Sequence, residues 1–277
     1  MRIGQILLSE KGLSRTDLVS IISHVLSVPR ERIFMEPSMD LGEAERRRIE
    51  DLAGQRRMGR PLAYLLNRKE FFSESFYVDE SVLIPRPETE ILVEEALRIV
   101  KHKGRPTCVL DMGTGSGAIG LMLAKRGAGC VVCVDISPAA LLVARKNATS
   151  LGLREEIEFV ASDLFSGLAV ERRFDLICAN LPYVTEHEWK GLMQDVRDFE
   201  PRKALVGGAT GMELYERYAH EAPAFLASGG TLLCEIGGES QAGALAALFG
   251  KGGLNVAIKK DLSGSERVVK ASWTSSS

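Results

Sequence analysis

The chain has 277 residues and a mass of 30.2 kDa, enough for one large domain or two ordinary ones. Hydrophobic residues at 45%, charged residues at 26%, a mean hydropathy of +0.01 and a formal charge of -2 exclude disordered, collagen-like and coiled-coil classes. An isoelectric point near 6.2 argues against holding nucleic acid by charge alone. No apolar run reaches the roughly 18 residues of a membrane span, and residues 1–10 lack a secretory signal, so a cytoplasmic protein without a membrane segment is expected.

The first 70 residues hold 13 Lys/Arg against 10 Asp/Glu and read as helical. Ser14 is placed to cap a helix whose Leu18, Ile21, Ile22, Val25 and Leu26 share one stripe, and a second amphipathic stretch covers residues 41–58. Arg46, Arg47, Arg48, Arg56, Arg57 and Arg60 make a basic stretch there. It either docks a partner or is a solvated helix face balanced by Glu43, Glu45, Glu50 and Asp51.

Residues 70–84 read as a short hairpin, with Phe71-Phe72 and Phe76-Tyr77-Val78 on its two arms. From Pro87 onward strand and helix patterns alternate, which predicts a parallel sheet covered on both faces. Strands are expected at residues 108–112, 130–135, 157–161, 174–180 and 231–236. Segments 254–260 and 267–273 are joined by only residues 261–266, too few for a crossover helix, so they predict an antiparallel pair. The expected organisation is a helical domain over 1–70, a hairpin linker over 71–86 and a catalytic domain over 87–277, with a disordered end at 274–277. Cys130 and Cys133 form a CxxC, but within a continuous strand pattern, so a buried thiol pair is expected and no metal site.

Asp111, Gly113, Thr114, Gly115, Ser116 and Gly117 follow a strand and open a helix. Glycines there permit positive φ and let backbone approach a ligand, while the helix start offers unpaired N–H groups. Asp135 ends the next strand, where a carboxylate accepts ribose hydroxyls. Gly115, Gly117 and Gly120 also satisfy GxGxxG, which keeps a nicotinamide dinucleotide open. Asp111 before the glycines, Asp163 after the third strand and the terminal antiparallel pair favour S-adenosyl-L-methionine. In that reading Asp111 holds the amino group and Asp163 accepts from the adenine amine; the plainer role for Asp163 is a turn or helix cap.

The fourth strand runs into Asn180-Leu181-Pro182-Tyr183, beyond the carboxyl end of the sheet where ligands of such folds bind. A planar amide or aromatic amine is a poor nucleophile because its lone pair is delocalised. Methylating one requires acceptors for its N–H groups: the Asn180 side-chain carbonyl and the Leu181 backbone carbonyl suit that task, with the Tyr183 ring on the flat face and Pro182 holding Leu181 extended.

These motifs resemble the class I methyltransferases that act on planar NH2 groups. More specifically, Leu83-Ile84-Pro85-Arg86-Pro87-Glu88-Thr89-Glu90, with Arg60-Pro61-Leu62-Ala63-Tyr64 and Phe199-Glu200-Pro201, resemble the HemK-type release factor glutamine methyltransferases along nearly the whole chain. The resemblance implies a Rossmann-like, doubly wound seven-stranded sheet with an antiparallel last strand, behind a small helical substrate-recognition domain. It also implies methyl transfer from S-adenosyl-L-methionine, leaving S-adenosyl-L-homocysteine, to the side-chain amide (N5) of the glutamine in the Gly-Gly-Gln motif of peptide chain release factors. Matched positions take the matched roles: residues 113–117 and Asp135 on the cofactor, Asp163 and Leu164 near the adenine, and Asn180, Leu181, Pro182 and Tyr183 on the substrate, with Asn180 also beside the cofactor. Arg86 and Glu88 either shape the cofactor entrance or start the helix at Thr89. A monomer without stable nucleic-acid binding is expected.

The family pattern is Asn-Pro-Pro-Tyr, and Leu181 replaces its first proline. The carbonyl survives, with some loss of loop rigidity. Asn-Leu-Pro-Tyr is also the form found in ribosomal RNA adenine dimethyltransferases, so an N-methyltransferase acting on an RNA or DNA amine is the alternative.

Overall fold

A computed structural model describes residues 2–9, 12–153 and 157–273; the expected disordered end lies outside the described residues. The chain divides into two compact units, Met1–Arg68 with Met193–Phe199, and Lys69–Leu192 with Glu200–Ser277. The sequence-based linker hairpin falls inside the larger unit.

The smaller unit contains α1 (Ile3–Ser9), α2 (Arg15–Leu26), α3 (Arg30–Met35), α4 (Glu43–Arg57) and α5 (Leu62–Leu65). Ser14 Oγ accepts from the Asp17 N–H at 3.0 Å and caps α2, whose Leu18, Ile21 and Ile22 are buried against Ile33, Ile49 and Leu52. The basic stretch on α4 is balanced. Arg46 pairs with Glu50 at 2.9 Å and Arg48 with Asp51 at 3.0 Å, Arg47 pairs with Glu43, and Arg56 reaches Asp17 at 2.8 Å.

In the larger unit β1 (Lys69–Phe71) and β2 (Glu74–Phe76) form the antiparallel hairpin, closed by the buried rings of Phe71 and Phe76 edge to face at 5.9 Å. There follow α6 (Thr89–Lys103), β3 (Cys108–Met112), α7 (Ala118–Lys125), β4 (Cys130–Asp135), α8 (Pro138–Ser150), β5 (Ile157–Ala161), β6 (Phe174–Ala179), β7 (Val184–Thr185) and α9 (Glu186–Trp189). The remaining elements are α10 (Gln194–Phe199), which belongs to the smaller unit, then β8 (Val206–Gly208), α11 (Glu213–Phe225), β9 (Leu226–Glu235), α12 (Glu239–Lys251), β10 (Asn255–Lys260) and β11 (Glu266–Ser272).

The main sheet has the order β10-β11-β9-β6-β3-β4-β5, with β11 antiparallel to both neighbours. β3, β4, β5, β6 and β9 are parallel and largely apolar, because helices cover both faces and leave a core on each. This is the expected doubly wound α/β fold with an antiparallel last strand. β9 begins at Leu226, earlier than the hydrophobic run from Thr231, because Leu226 pairs with Phe174 across an irregular register. The short parallel pair β7 and β8 has no sequence signature.

The chain starts at β3, builds outward through β4 to β5, then returns to lay β6 on the other side of β3. The order reverses between β3 and β6, and the crevice beyond their carboxyl ends is where such sheets bind ligands.

Candidate active site

The glycine loop and the Asn180 tetrapeptide leave β3 and β6 side by side. Met112 is in register with Ala179, and Ala179 with Cys234, so Gly113, Asn180 and Glu235 stand abreast at the ends of β3, β6 and β9. Leu181 is buried, and its Cδ2 lies 3.1 Å from where a Cβ on Gly113 would sit, so the two loops pack directly on each other.

In the glycine loop, Gly115 has φ +55°, and a Cβ there would meet nothing within 4 Å. The backbone therefore requires glycine for its conformation and opens onto free space, as a cradle for a ligand does. The loop is held from below by Asp111, fully buried at the end of β3. Its Oδ2 accepts from the Thr114 hydroxyl at 2.6 Å and the Gly120 N–H at 2.9 Å, while its Oδ1 is buried with no hydrogen-bond partner. Burial pushes this carboxyl up to about 6, the two hydrogen bonds pull it down, and Asp135 adds to the rise.

Asp135 ends β4 with both oxygens oriented by backbone: Oδ2 accepts from the Gly115 N–H and Oδ1 from the Ser137 N–H, each at 2.8 Å. Burial raises its pKa and these N–H donors oppose the rise. Each oxygen keeps a lone pair for a further donor. Beside it Ile136 is 65% exposed, an apolar surface next to a polar anchor that the sequence reading missed. Leu164 adopts φ +47° with its carbonyl accepting from Ser162 Oγ at 2.8 Å, and Ser162 Oγ in turn accepts from the Gly167 N–H at 2.7 Å. A leucine in the left-handed region is strained and is held there by these bonds. Asp163 next to it is half exposed and pairs with Arg217 at 3.0 Å.

Asn180 Nδ2 donates to Thr89 Oγ1 at 3.2 Å, at the start of α6. The Leu181 N–H donates to the Tyr215 hydroxyl at 3.2 Å, and that hydroxyl donates to the Glu235 backbone carbonyl. A proline at 181 has no N–H to give, so leucine trades ring rigidity for a tether into α11. The Pro182 carbonyl crowds Gly207, where a Cβ would lie 2.2 Å away, so β8 must carry glycine at that point. The Tyr183 carbonyl accepts from Gln241 Nε2 at 2.8 Å, and its ring carbons lie 3.0 Å from a Cβ position on Gly237. Burial raises the Tyr183 phenol, and Glu235 adds to the rise, so it stays neutral at working pH.

Arg86 does not reach this crevice as a free cation. Its Nη2 donates to Glu200 Oε1 at 2.5 Å, and Glu200 Oε2 accepts from the Ile84 N–H at 3.1 Å, which staples the Ile-Pro-Arg-Pro segment. Glu88 precedes α6 and makes no side-chain cap. Cys130 and Cys133 lie on one strand, but only Cys133 is fully buried; Cys130, at the strand's first position, is half-buried, so the expected buried pair holds for one thiol.

A sulfonium nucleoside bearing an ammonium and a ribose matches these acceptors. An orphaned buried carboxylate oxygen suits a cation partner, an oriented carboxylate with spare lone pairs suits a diol, and an open glycine turn lies between them.

The chain is similar in sequence and in fold to known proteins. Residues 109–199 match a methyltransferase domain model, and residues 2–66 match the PrmC N-terminal domain model. A release factor glutamine methyltransferase of Rhodopirellula baltica is 38% identical over 261 residues, covering 92% of this chain and 88% of its own. One from Bordetella pertussis is 38% identical with 95% and 96% covered. Among solved structures, the hMettl16 catalytic domain superposes with a TM-score of 0.61 at 17% identity, covering 82% of this chain and 83% of that one. A methyltransferase from Pyrococcus furiosus gives 0.53 at 16%, with 73% and 90% covered. The structural likenesses support the fold alone, and the sequence relatives decide the family. The chain is a member of the release factor glutamine methyltransferase family.

Proposed function

We propose that this protein methylates the side-chain amide nitrogen (N5) of the glutamine in the Gly-Gly-Gln motif of peptide chain release factors. S-adenosyl-L-methionine supplies an electrophilic methyl on a sulfonium and becomes S-adenosyl-L-homocysteine. Asp111 Oδ1 takes the ammonium, and residues 113–117 line the cofactor with backbone. Asp135 accepts the ribose hydroxyls, Ile136 covers one face of the adenine, and Asp163 with Leu164 meets its edge. The Asp163–Arg217 pair is exposed enough to share its carboxylate or to open.

Asn180 Oδ1 and the Leu181 carbonyl accept the two N–H groups of the substrate amide, which aims its nitrogen along the line of displacement. Pro182 keeps Leu181 extended, and the Tyr183 ring covers the flat face and excludes water. A strong base is not required, because the amide proton is lost after the nitrogen has gained a methyl and become acidic. The observation that carries the reading is the placement of Asn180 beside the glycine loop, with its amide nitrogen already engaged by Thr89 and its oxygen left for a donor.

The helical unit, matched to an N-terminal domain model, is proposed to recognise the protein substrate, with the enzyme acting as a cytoplasmic monomer that forms no stable nucleic-acid complex. The test is transfer of labelled methyl to purified release factor, wild type and with the loop glutamine replaced, alongside ribosomal RNA. Label that requires the glutamine supports the reading; label on RNA alone replaces it with base methylation.

A further inference from the structure

Glu235 is the last residue of β9; it is 2% exposed, and its Oε2 lacks any hydrogen-bond partner. A carboxyl this deep, at the end of the apolar run Leu232-Leu233-Cys234, is costly unless it has a task. It lies abreast of Asn180 through the β6–β9 register, and Thr89, also buried, stands at the same point from α6. Thr89 and Asn180 both lie near enough to the Glu235 carboxyl to favour its ionised form, and Asn180 Nδ2 donates to Thr89 Oγ1 at 3.2 Å.

An asparagine amide is nearly symmetric in shape and opposite in chemistry at its two ends. With the oxygen outward it accepts a substrate N–H; turned over, it presents N–H to N–H and repels the same group. Pro182, Tyr183 and the glycine loop cannot distinguish these two orientations by shape. A partner that only accepts can.

We propose that Glu235 and Thr89 are positioning residues that fix the orientation of the Asn180 amide, nitrogen toward the sheet and oxygen toward the substrate. This inference rests on the proposed role of Asn180 toward the substrate amide. The ionised carboxylate is an acceptor only, so the Thr89 hydroxyl donates to it. The Thr89 oxygen is then free to accept from Asn180 Nδ2, and the polarity of the chain is set from the buried end. A protonated Glu235 becomes a donor and permits the reverse polarity, in which the Asn180 oxygen turns inward and the substrate loses its acceptor.

The surroundings leave this carboxyl near the point of change. Burial pushes it up to about 7, Thr89 pulls it down, Glu88 from the segment before α6 pushes it up, and Asn180 and Arg267 of β11 pull it down. The phenols of Tyr183 and Tyr215 also face it. Turnover is therefore expected to fall on the acid side of neutrality with a single ionisation.

The test uses the full chain, labelled S-adenosyl-L-methionine and purified release factor, with turnover followed against pH. Binding of S-adenosyl-L-homocysteine, read as a thermal shift, serves as a control for folding. Glu235→Gln, which keeps shape and loses the acceptor-only character, is expected to lower kcat by about tenfold to a hundredfold. It should also remove the acid limb and leave product binding within about twofold, well below the tenfold that one pKa unit represents. Thr89→Val should match it, and Thr89→Ser should restore most of what Thr89→Val loses. A Glu235→Gln variant that keeps the wild-type kcat and acid limb overturns the proposal. So do variants whose product binding falls in step with kcat, and a Thr89→Ser variant as slow as Thr89→Val. Wild-type protein that leaves the release factor unlabelled overturns the functional reading, and this inference with it; active wild type with unaffected variants overturns this inference alone.

Discussion

At the amino end of β6, Asp175 is 6% exposed at its side chain and fully partnered. Arg105 meets both its oxygens at 2.5 and 3.1 Å, Lys103 Nζ lies at 3.4 Å and the Cys108 N–H at 3.0 Å. Burial pushes its carboxyl up, but Arg105, the Cys108 N–H and Lys103 outweigh that and hold it below the usual range. At the carboxyl ends of the neighbouring strands, Asp111 and Glu235 are buried as deeply, each keeps one oxygen without a partner, and each is pushed up, to about 6 and about 7. The same residue class on one sheet is satisfied at one edge and left wanting at the other. The lesson is a division of labour: one edge spends its carboxyl on holding strands together, and in the function proposed above the other keeps acceptor capacity for the cofactor and for orienting Asn180, at a cost in stability.

The signs follow. Asp175 contributes stability that is present above its unfolded pKa, about 3.9, and is lost as pH falls through its lower folded value. Asp111 and Glu235, raised on folding, work the other way. The folded state binds more protons between their unfolded values, roughly 4, and about 6 or 7. Stability therefore declines as pH rises through that window.

The comparison breaks most visibly at Asn180. Asn180→Ala is expected to lower turnover by about a hundredfold or more with little change in cofactor affinity, since it removes an acceptor that orients the nucleophile; equal losses in both would move Asn180 to cofactor holding. Asp175→Asn should do the opposite. It leaves Arg105 and Lys103 facing a neutral amide, costs about 2 kcal/mol in chemical denaturation, and leaves kcat per folded molecule unchanged. A smaller effect sharpens the other edge. If the ammonium sits on Asp111, affinity for S-adenosyl-L-homocysteine should weaken as pH falls below about 6, by at most about tenfold per unit, and Asp111→Asn should flatten that dependence in calorimetric titration. The smallest effect concerns the tether. Tyr215→Phe should cost about 1 kcal/mol in a Leu181 background and less in Leu181→Pro, where the N–H it accepts is gone, so a double-mutant cycle should show coupling.

Much of this is legible in the sequence alone. The α2 cap at Ser14, the five parallel strands and the closing antiparallel pair follow from caps, apolar runs and a connection too short for a helix. The residues of the glycine loop, Asp135 and Asn180 declare themselves because each sits at a strand end in a diagnostic pattern. What was missed depends on partners far apart in sequence. Thr89 meets Asn180 across 91 positions, and Ile84 meets Glu200 across 116; nothing local records either contact. Tyr215 looks like any aromatic on an amphipathic helix until its hydroxyl is seen between Leu181 and Glu235. Glu235 did leave a trace, as a lone acid in the run Leu232-Leu233-Cys234-Glu235-Ile236, and an acid ending an apolar strand is a signal that can be sought. Asp163 was expected at the adenine edge, and its pairing with Arg217, 54 positions on, could not be foreseen.

The central claim is that the carboxyl edge of this sheet presents an amide nitrogen to a methyl donor. The most direct measurement is the chemical fate of the methyl: release factor labelled by the purified enzyme, hydrolysed in acid, and analysed for volatile amine. Methylation of a side-chain amide nitrogen releases the label as methylamine, and this is the result predicted, lost when the loop glutamine is replaced. Label that stays with a non-volatile amino acid, or appears only in RNA, would contradict the account.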